Sequence, residues 1–389
     1  MKIAIIDDLI YPYFRGGAER RYYDLYNELG KKHEIHWFTM KFPEMKKSHF
    51  KYENINVHCV MKVPKEIYFH GRRKIIPTLI FAFRVFKEIN HYKFDFIDSD
   101  EFPFWHNFLI LLYSKFKKTP TFLTWMEVWK WSYWRKYLGN TGGTLGYVTQ
   151  FLLAKLSNNN ICISNITASN LSSLGVNKKN IRVIYGGINL RLLLKIKESV
   201  NSKKNQIISI GRLIPEKNFP LLINSIYPFL KNNESYKLII IGEGTEKKRI
   251  IELINTLDMN DRIKLFSGRN PYNEIMKTVC ESKVLVSLSH REGFGLTIVE
   301  AKALGVLVIT NDHEENAGRF LIKNNFDGLI IKSDGSDLAL TLQGILSSKE
   351  KNKMKEIIHN AFQDVKKFDY RELRKKLQEL LNLVTEIQK

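Results

Sequence analysis

Glu292 and Glu300 stand eight positions apart within residues 287–310, SLSHREGFGLTIVEAKALGVLVIT. A helix of that length sets them roughly 12 Å apart along its axis. That exceeds the separation of about 5–9.5 Å used by carboxyl pairs that hydrolyse glycosidic bonds. The pair therefore reads as two hydrogen-bond acceptors gripping the two ends of one elongated ligand. Gly293-Phe294-Gly295 between them forms a tight loop ahead of a helix. Bare amides at such a helix start can hold a phosphate or a sugar hydroxyl. Upstream, Arg212 and Lys217 follow an apolar run five positions apart. Arginine gives bidentate contacts to phosphate oxygens and lysine a compact positive charge. The bland alternative for all four residues is a solvated surface charge.

The elements needed to position these groups are legible around them. Residues 283–287 (KVLVS) and 306–310 (VLVIT) read as buried strands. Leu296, Val299 and Ala303 between them fall at i, i+3 and i+7, and Gly305 suits a left-handed helix stop. The unit is strand, glycine loop, short helix, strand. Residues 206–210 (QIISI) form a strand that delivers Arg212 and Lys217 to the edge where α/β sheets bind ligands. Residues 236–241 and 263–266 are further strands, ending in Gly242-Glu243-Gly244 and Ser267-Gly268-Arg269. In the first half, the strand 3–6 runs into Asp7-Asp8 and a loop bearing Gly16-Gly17. A helix over 19–29 follows, with Tyr22, Leu25, Tyr26 and Leu29 on one stripe. This is the form of a nucleotide-domain crossover, without the glycine fingerprint of NAD binding. Residues 34–39, 94–98 and 120–129 read as strands, the last ending in a polar turn with Met126 and Glu127 at the strand end; 77–89 and 102–116 read as helices, buried as crossovers on the sheet or, alternatively, resting on a bilayer interface. Residues 139–146 (GNTGGTLG) read as a mobile loop.

These motifs resemble the retaining glycosyltransferases of family 4, with the GT-B fold. The resemblance rests on Arg291-Glu292-Gly293-Phe294-Gly295-Leu296 followed by Glu300-Ala301, the family's Glu-x7-Glu motif, and covers nearly the whole chain. It implies that Glu292 faces the donor sugar and Glu300 the nucleotide ribose. It implies that amides around Gly293, Phe294, Gly295, Leu296 and Thr297 serve sugar hydroxyls and the diphosphate. Arg212 and Lys217 match the family's diphosphate-binding pair. Gly16 and Gly17, in GGAE, match a loop near donor phosphate and acceptor. Gly268 and Arg269 lie where the nucleobase meets the backbone. The chain departs from the family at Met126, where a histidine usually stands beside the transferred sugar. A thioether cannot donate a hydrogen bond or exchange a proton, so Glu127 is the candidate for that polar role.

The expected architecture is therefore α/β, with two Rossmann-like domains facing across a cleft. Residues 1–190 would form the acceptor side, 191–205 a linker, and 206–369 the donor-binding domain. The segment from about 370 to 389 would cross back to the first domain. The expected activity is metal-independent transfer, with retention, of a hexosyl group from a nucleotide-diphosphate sugar to a glycan or lipid-linked acceptor. No cofactor and no metal ligand set is expected. A sugar-nucleotide epimerase of the same fold and a non-catalytic sugar-nucleotide binder are the alternatives.

Composition sets outer limits. The chain has 389 residues, 44% hydrophobic and 12% aromatic, which fits two well-packed domains. Cys59, Cys162 and Cys280 show no disulfide or metal spacing, which points to a reducing, cytoplasmic setting. The opening MKIAIIDD reads as a strand rather than a signal peptide, and no run of 18 apolar residues marks a membrane span. The net charge of +21 is uneven: residues 1–200 carry 31 Lys+Arg against 16 Asp+Glu, and residues 201–389 carry 30 against 24. The basic first half leaves open peripheral contact with an anionic membrane, at its inner face. No RNA- or DNA-binding motif is present, and nucleic acid is not an expected partner.

Overall fold

The computed structural model describes residues 1–14, 16–69 and 72–388. The chain divides into two compact units, one made of residues 1–187 and 370–389 and the other of residues 188–369. Arg15, in the glycine loop, and Lys389 lie outside the described residues.

The first unit runs β1 (Lys2–Ile6), α1 (Gly17–Leu29), β2 (Glu34–Lys41), β3 (His49–Tyr52), β4 (Ile55–Lys62), a ribbon of β5 (Tyr68–Phe69) and β6 (Arg72–Arg73), α2 (Ile75–Ile89) and β7 (Phe96–Asp100). It continues with α3 (Trp105–Lys117), β8 (Thr121–Trp125), α4 (Trp131–Leu156), β9 (Asn160–Cys162), α5 (Asn165–Ser173) and β10 (Ile181–Val183). Its sheet has the order β10-β9-β8-β7-β1-β2-β4-β3. Every pairing is parallel except that of the edge strand β3 with β4.

Strand β1 is apolar at each buried position because both sheet faces are covered. Ile3 and Ile5 pack with Leu25, Tyr26 and Trp37 on one face. Ala4 and Ile6 pack with Phe38, Phe81, Val85 and Ile110 on the other. The terminal helix α13 (Tyr370–Gln388) completes the first layer through Leu373, Leu377, Leu381 and Val384. Each such side chain stabilises the fold by about 1.5–3 kcal/mol relative to exposure. Arg374 donates to the Asp24 carbonyl at 2.9 Å, fixing α13 along α1.

The second unit runs α6 (Leu190–Glu198), β11 (Gln206–Ile210), α7 (Phe219–Asn232), β12 (Lys237–Ile241), α8 (Lys247–Thr256), β13 (Ile263–Phe266), α9 (Tyr272–Cys280) and β14 (Val284–Ser287). It ends with α10 (Leu296–Ala303), β15 (Leu307–Asn311), β16 (Leu329–Ile331), α11 (Leu338–Ile345) and α12 (Lys351–Val365). The sheet order is β13-β12-β11-β14-β15-β16, with all pairings parallel. That is the 3-2-1-4-5-6 order of a nucleotide-binding sheet, whose direction of winding reverses between β11 and β14.

Two expectations need correction. Residues 190–198 are not linker: α6 is capped by the Asn189 side chain, which accepts from the Leu192 amide at 3.0 Å, and buries Leu190, Leu193 and Ile196. Its lysines face outward, which made an amphipathic helix look like a charged connection. Residues 139–146 lie within α4, whose path breaks at Gly139 (φ 78°, ψ −177°). A Cβ at Gly146 would come within 2.4 Å of the Trp134 ring. Close approach to Trp134 is thus what the glycine permits, and packing overrides its poor helix propensity.

Candidate active site

At the carboxyl ends of β11 and β14 the second unit gathers most of the residues singled out above. Strand β11 delivers Gly211, Arg212 and, after a short 3-10 turn over Pro215–Lys217, the Lys217 ammonium. Strand β14 delivers Glu292 through a loop pinned on both sides. The His290 amide donates to the Glu216 carbonyl at 2.8 Å, and the Asn218 amide group meets His290 Nε2 at 2.7 Å. The Glu292 amide donates to the Glu315 carbonyl at 3.1 Å, and its own carbonyl accepts from Ala317 at 3.0 Å. Held in this way, the Glu292 carboxylate forms an ion pair with Lys217, both side chains being partly exposed. Arg212 is exposed, and its guanidinium has no carboxylate partner among the described residues.

The loop then turns into α10. Gly295 takes φ +103°, a left-handed value that disfavours any side chain, and a Cβ there would stand 3.2 Å from Gly318. No side chain caps α10, so its first amides and the positive end of its dipole remain available to an anion. Gly293 and Phe294 are buried behind this end, while Leu296 and Thr297 are partly exposed. On α10, Glu300 is buried and accepts from the Tyr272 hydroxyl at 2.7 Å. Tyr272 opens α9 and was not anticipated from sequence.

The neighbouring strand ends carry the glycine turns. A Cβ at Gly242 would lie 2.0 Å from the Gly211 carbonyl oxygen, so the turns after β11 and β12 touch through bare backbone. Gly268, at the end of β13, packs against Gly242, and both Gly268 and Arg269 are exposed. The Ser267 hydroxyl and Lys247 hold the Glu243 carboxyl below its usual range.

Lys302 fixes the helix that bears these amides. Fully buried, it donates to the Leu321 carbonyl at 2.8 Å and pairs with Asp327 at 3.1 Å and Asp364 at 3.0 Å. Its carboxylate partners lie 25 and 62 positions away along the chain.

Gly16, Gly17 and Glu127 belong to the first unit. Gly16 precedes α1 and packs on the buried Glu19 carboxylate. Glu127 accepts from the Trp129 indole at 2.8 Å. The amides of Met126 and Glu127 donate to Glu101 at 2.9 and 3.4 Å. Glu101 ends a buried run with Asp98 and Asp100 that meets Asp7 and Asp8 at the ends of β7 and β1. Burial pushes the Glu101 carboxyl up to about 7, and pushes Asp7 and Asp100 well above the usual range. Arg73 pairs with Asp8, and Tyr26 and Thr124 donate to Asp98 at 2.6 and 2.5 Å. The DSDE run at 98–101 is the sequence signal for this cluster, and the strand read over 94–98 stops at its first residue.

Two family models match the chain in tandem. The model for glycosyltransferase family 4 matches residues 15–192, and that for glycosyl transferases group 1 matches residues 193–364. A Campylobacter jejuni N-acetylgalactosamine-N,N'-diacetylbacillosaminyl-diphospho-undecaprenol 4-alpha-N-acetylgalactosaminyltransferase is 29% identical over 58% of this chain and 60% of its own length. An Escherichia coli UDP-Gal:alpha-D-GlcNAc-diphosphoundecaprenol alpha-1,3-galactosyltransferase is 29% identical over 57% of this chain and 60% of its own. The matched stretch thus spans about three fifths of each of these relatives. The crystal structure of HepE from Anabaena in complex with UDP superposes with a TM-score of 0.74 at 17% identity, covering 98% of this chain and 100% of that one, a likeness of fold. With a nucleotide-binding strand order in the second unit, a Glu-x7-Glu loop at its switch point, and two family models meeting at residue 192, the chain belongs to the family 4 glycosyltransferases of GT-B fold.

Proposed function

We propose that the protein moves a hexosyl or N-acetylhexosaminyl group from a nucleoside-diphosphate sugar to a lipid-diphosphate-linked saccharide, with retention and without a metal in the transfer step. The observation that carries this reading is the Lys217–Glu292 ion pair beside the uncapped start of α10, at the switch point of the second sheet. Bond cleavage puts negative charge on the leaving diphosphate. Lys217, Arg212 and the α10 amides meet that charge with groups already in place, which is worth most as the charge develops. The donor's hydroxyls displace Lys217 from Glu292, leaving the carboxylate to accept from the sugar and the ammonium to face phosphate. Glu300, oriented by Tyr272, accepts from the ribose. Arg269 and the backbone at Gly268 flank the base. The acceptor proton passes to the departing phosphate as the new bond forms on the face the diphosphate leaves. That route asks nothing of Met126, and Glu127, held by Trp129, lines the acceptor side.

A lipid-linked acceptor is supported by the two bacterial relatives, whose named substrates are undecaprenyl diphosphates. The surface of the first unit supports it too. Among the described residues no helix is long and apolar enough to cross a membrane. Yet Ile76, Phe83, Phe116, Leu152 and Leu156 are exposed on α2, α3 and α4, with Lys115 and Lys117 alongside. Apolar tips flanked by lysines suit the interface of an anionic bilayer.

A panel of UDP-, GDP-, ADP- and TDP-sugars tests the reading. One donor is expected to raise the melting temperature and to be consumed only with a lipid-diphosphate saccharide present. The product's anomeric coupling constant should match the donor's α configuration. Consumption of no donor, or a β-linked product, overturns the corresponding part.

A further inference from the structure

We infer that His49, His58 and Glu88 of the first unit form a binding site for a divalent transition-metal ion of the zinc class, clamping the sheet's edge strand to α2. The ligand atoms of these three side chains lie within 4.8 Å of one another. They come from three elements: β3, β4 and α2. His49 and His58 are cross-strand partners in the antiparallel β3–β4 pair, so the hairpin register itself brings the two rings together. Their Nδ1 atoms are 3.2 Å apart. Two nitrogens bound at about 2.0–2.1 Å to a tetrahedral centre are themselves about 3.3 Å apart, so the pair is already near the spacing an ion needs.

The hydrogen bonds behind His58 supply an independent argument. Glu34 Oε1 accepts from His36 Nε2 at 2.8 Å. A neutral His36 with its proton there leaves Nδ1 as an acceptor, and His58 Nε2 lies 2.8 Å from it. His58 therefore carries its proton on Nε2, and its Nδ1 lone pair faces His49. A carboxylate–imidazole relay that fixes the tautomer of a ligating histidine is the usual outer shell of a metal site. Lys2, the nearest cation to this relay, is itself paired with Glu34 at 3.4 Å. His58 is buried, Glu88 partly exposed and His49 exposed, which leaves an entry path from solvent.

Two imidazoles and a carboxylate suit zinc, with cobalt and nickel as close competitors, and a water would complete four-coordination. The ion would be structural. Its ligands sit on the first unit, whereas Arg212 and Lys217 belong to the second. Strand β3 has an unpaired edge, and tying it to α2 restrains the opening of that edge. The competing account is a plain hydrogen bond between two rings lying edge to face, which binds no ion.

The experiment uses untagged full-length protein stripped with EDTA, then dialysed against zinc and analysed for bound metal. Cobalt is added separately as a spectroscopic probe. The expected result is one zinc per chain, a melting temperature that rises with zinc, and intense visible bands of four-coordinate cobalt. His49→Ala, at an exposed position that leaves the core intact, and Glu88→Gln should each weaken zinc binding at least tenfold and remove the zinc-dependent shift. Substoichiometric zinc in the wild type, or equal binding by His49→Ala, overturns the inference.

Discussion

The two sheets share a topology and use it with opposite chemistry. In the second unit, the reversal between β11 and β14 presents Arg212, Lys217 and the uncapped end of α10 to solvent. In the first unit, the reversal between β1 and β7 buries Asp7, Asp8, Asp98, Asp100 and Glu101, with Arg21 and Arg73 among them. A parallel sheet offers the same crevice in both places. What decides the guest is the charge brought to the crevice. A diphosphate carried from water meets fixed cations and amides in one unit. In the other it would meet buried carboxyls, whose ionisation the burial already opposes. On the proposed reading the donor belongs to the second unit, and the first, despite its larger positive total, offers hydrogen-bonding groups suited to a neutral saccharide. Net charge alone, concentrated in residues 1–200, pointed the other way for the anion; those lysines are scattered over strands, loops and helices.

Three substitutions sharpen that contrast, beginning with the largest effect. Lys302→Ala leaves Asp327 and Asp364 without their shared buried cation and should cost about 3–5 kcal/mol of stability, read by denaturant titration. An effect no greater than that of a surface lysine would mean α10 is held by other contacts. Glu101→Gln probes the first unit. Burial raises the folded-state carboxyl to about 7 from its ordinary value of 4.5, so the protein binds an extra proton between those values. The stability this provides is complete below about pH 4.5 and is lost as pH rises through 7. Wild type should thus fall in melting temperature from pH 5 to 8 more steeply than Glu101→Gln, with a difference on the order of 1–3 kcal/mol at pH 8. Parallel profiles would show that Glu101 ionises normally. Tyr272→Phe removes one hydroxyl from Glu300 and should raise the donor KM about 3–10-fold with little change in kcat. An unchanged KM would separate Glu300 from the nucleotide.

How much of this was legible in the sequence depended on the range of the interaction. The strand-loop-helix around Glu292 was plain, because Val-rich strands, glycines and the i, i+3, i+7 spacing are local signals. So was the cationic pair after β11. Residues 139–146 failed for a physical reason: four glycines in eight positions read as a loop, and only contact with Trp134 shows why a helix tolerates them. Helix α6 failed because its lysines masked Leu190, Leu193 and Ile196. Nothing local marks Lys302, two positions after Glu300, as buried; its partners at Asp327 and Asp364 are tertiary. Glu101 likewise acquires its character from burial, which no local pattern encodes.

The central claim is that fixed positive groups at the β11–β14 crevice stabilise the departing diphosphate. The most direct test is the steady-state kinetics of Lys217→Ala beside wild type, with circular dichroism to confirm folding. The account predicts a fall in kcat of roughly 10²–10³-fold with a much smaller change in KM, since the interaction strengthens as charge develops. A folded Lys217→Ala enzyme with wild-type kcat would contradict it.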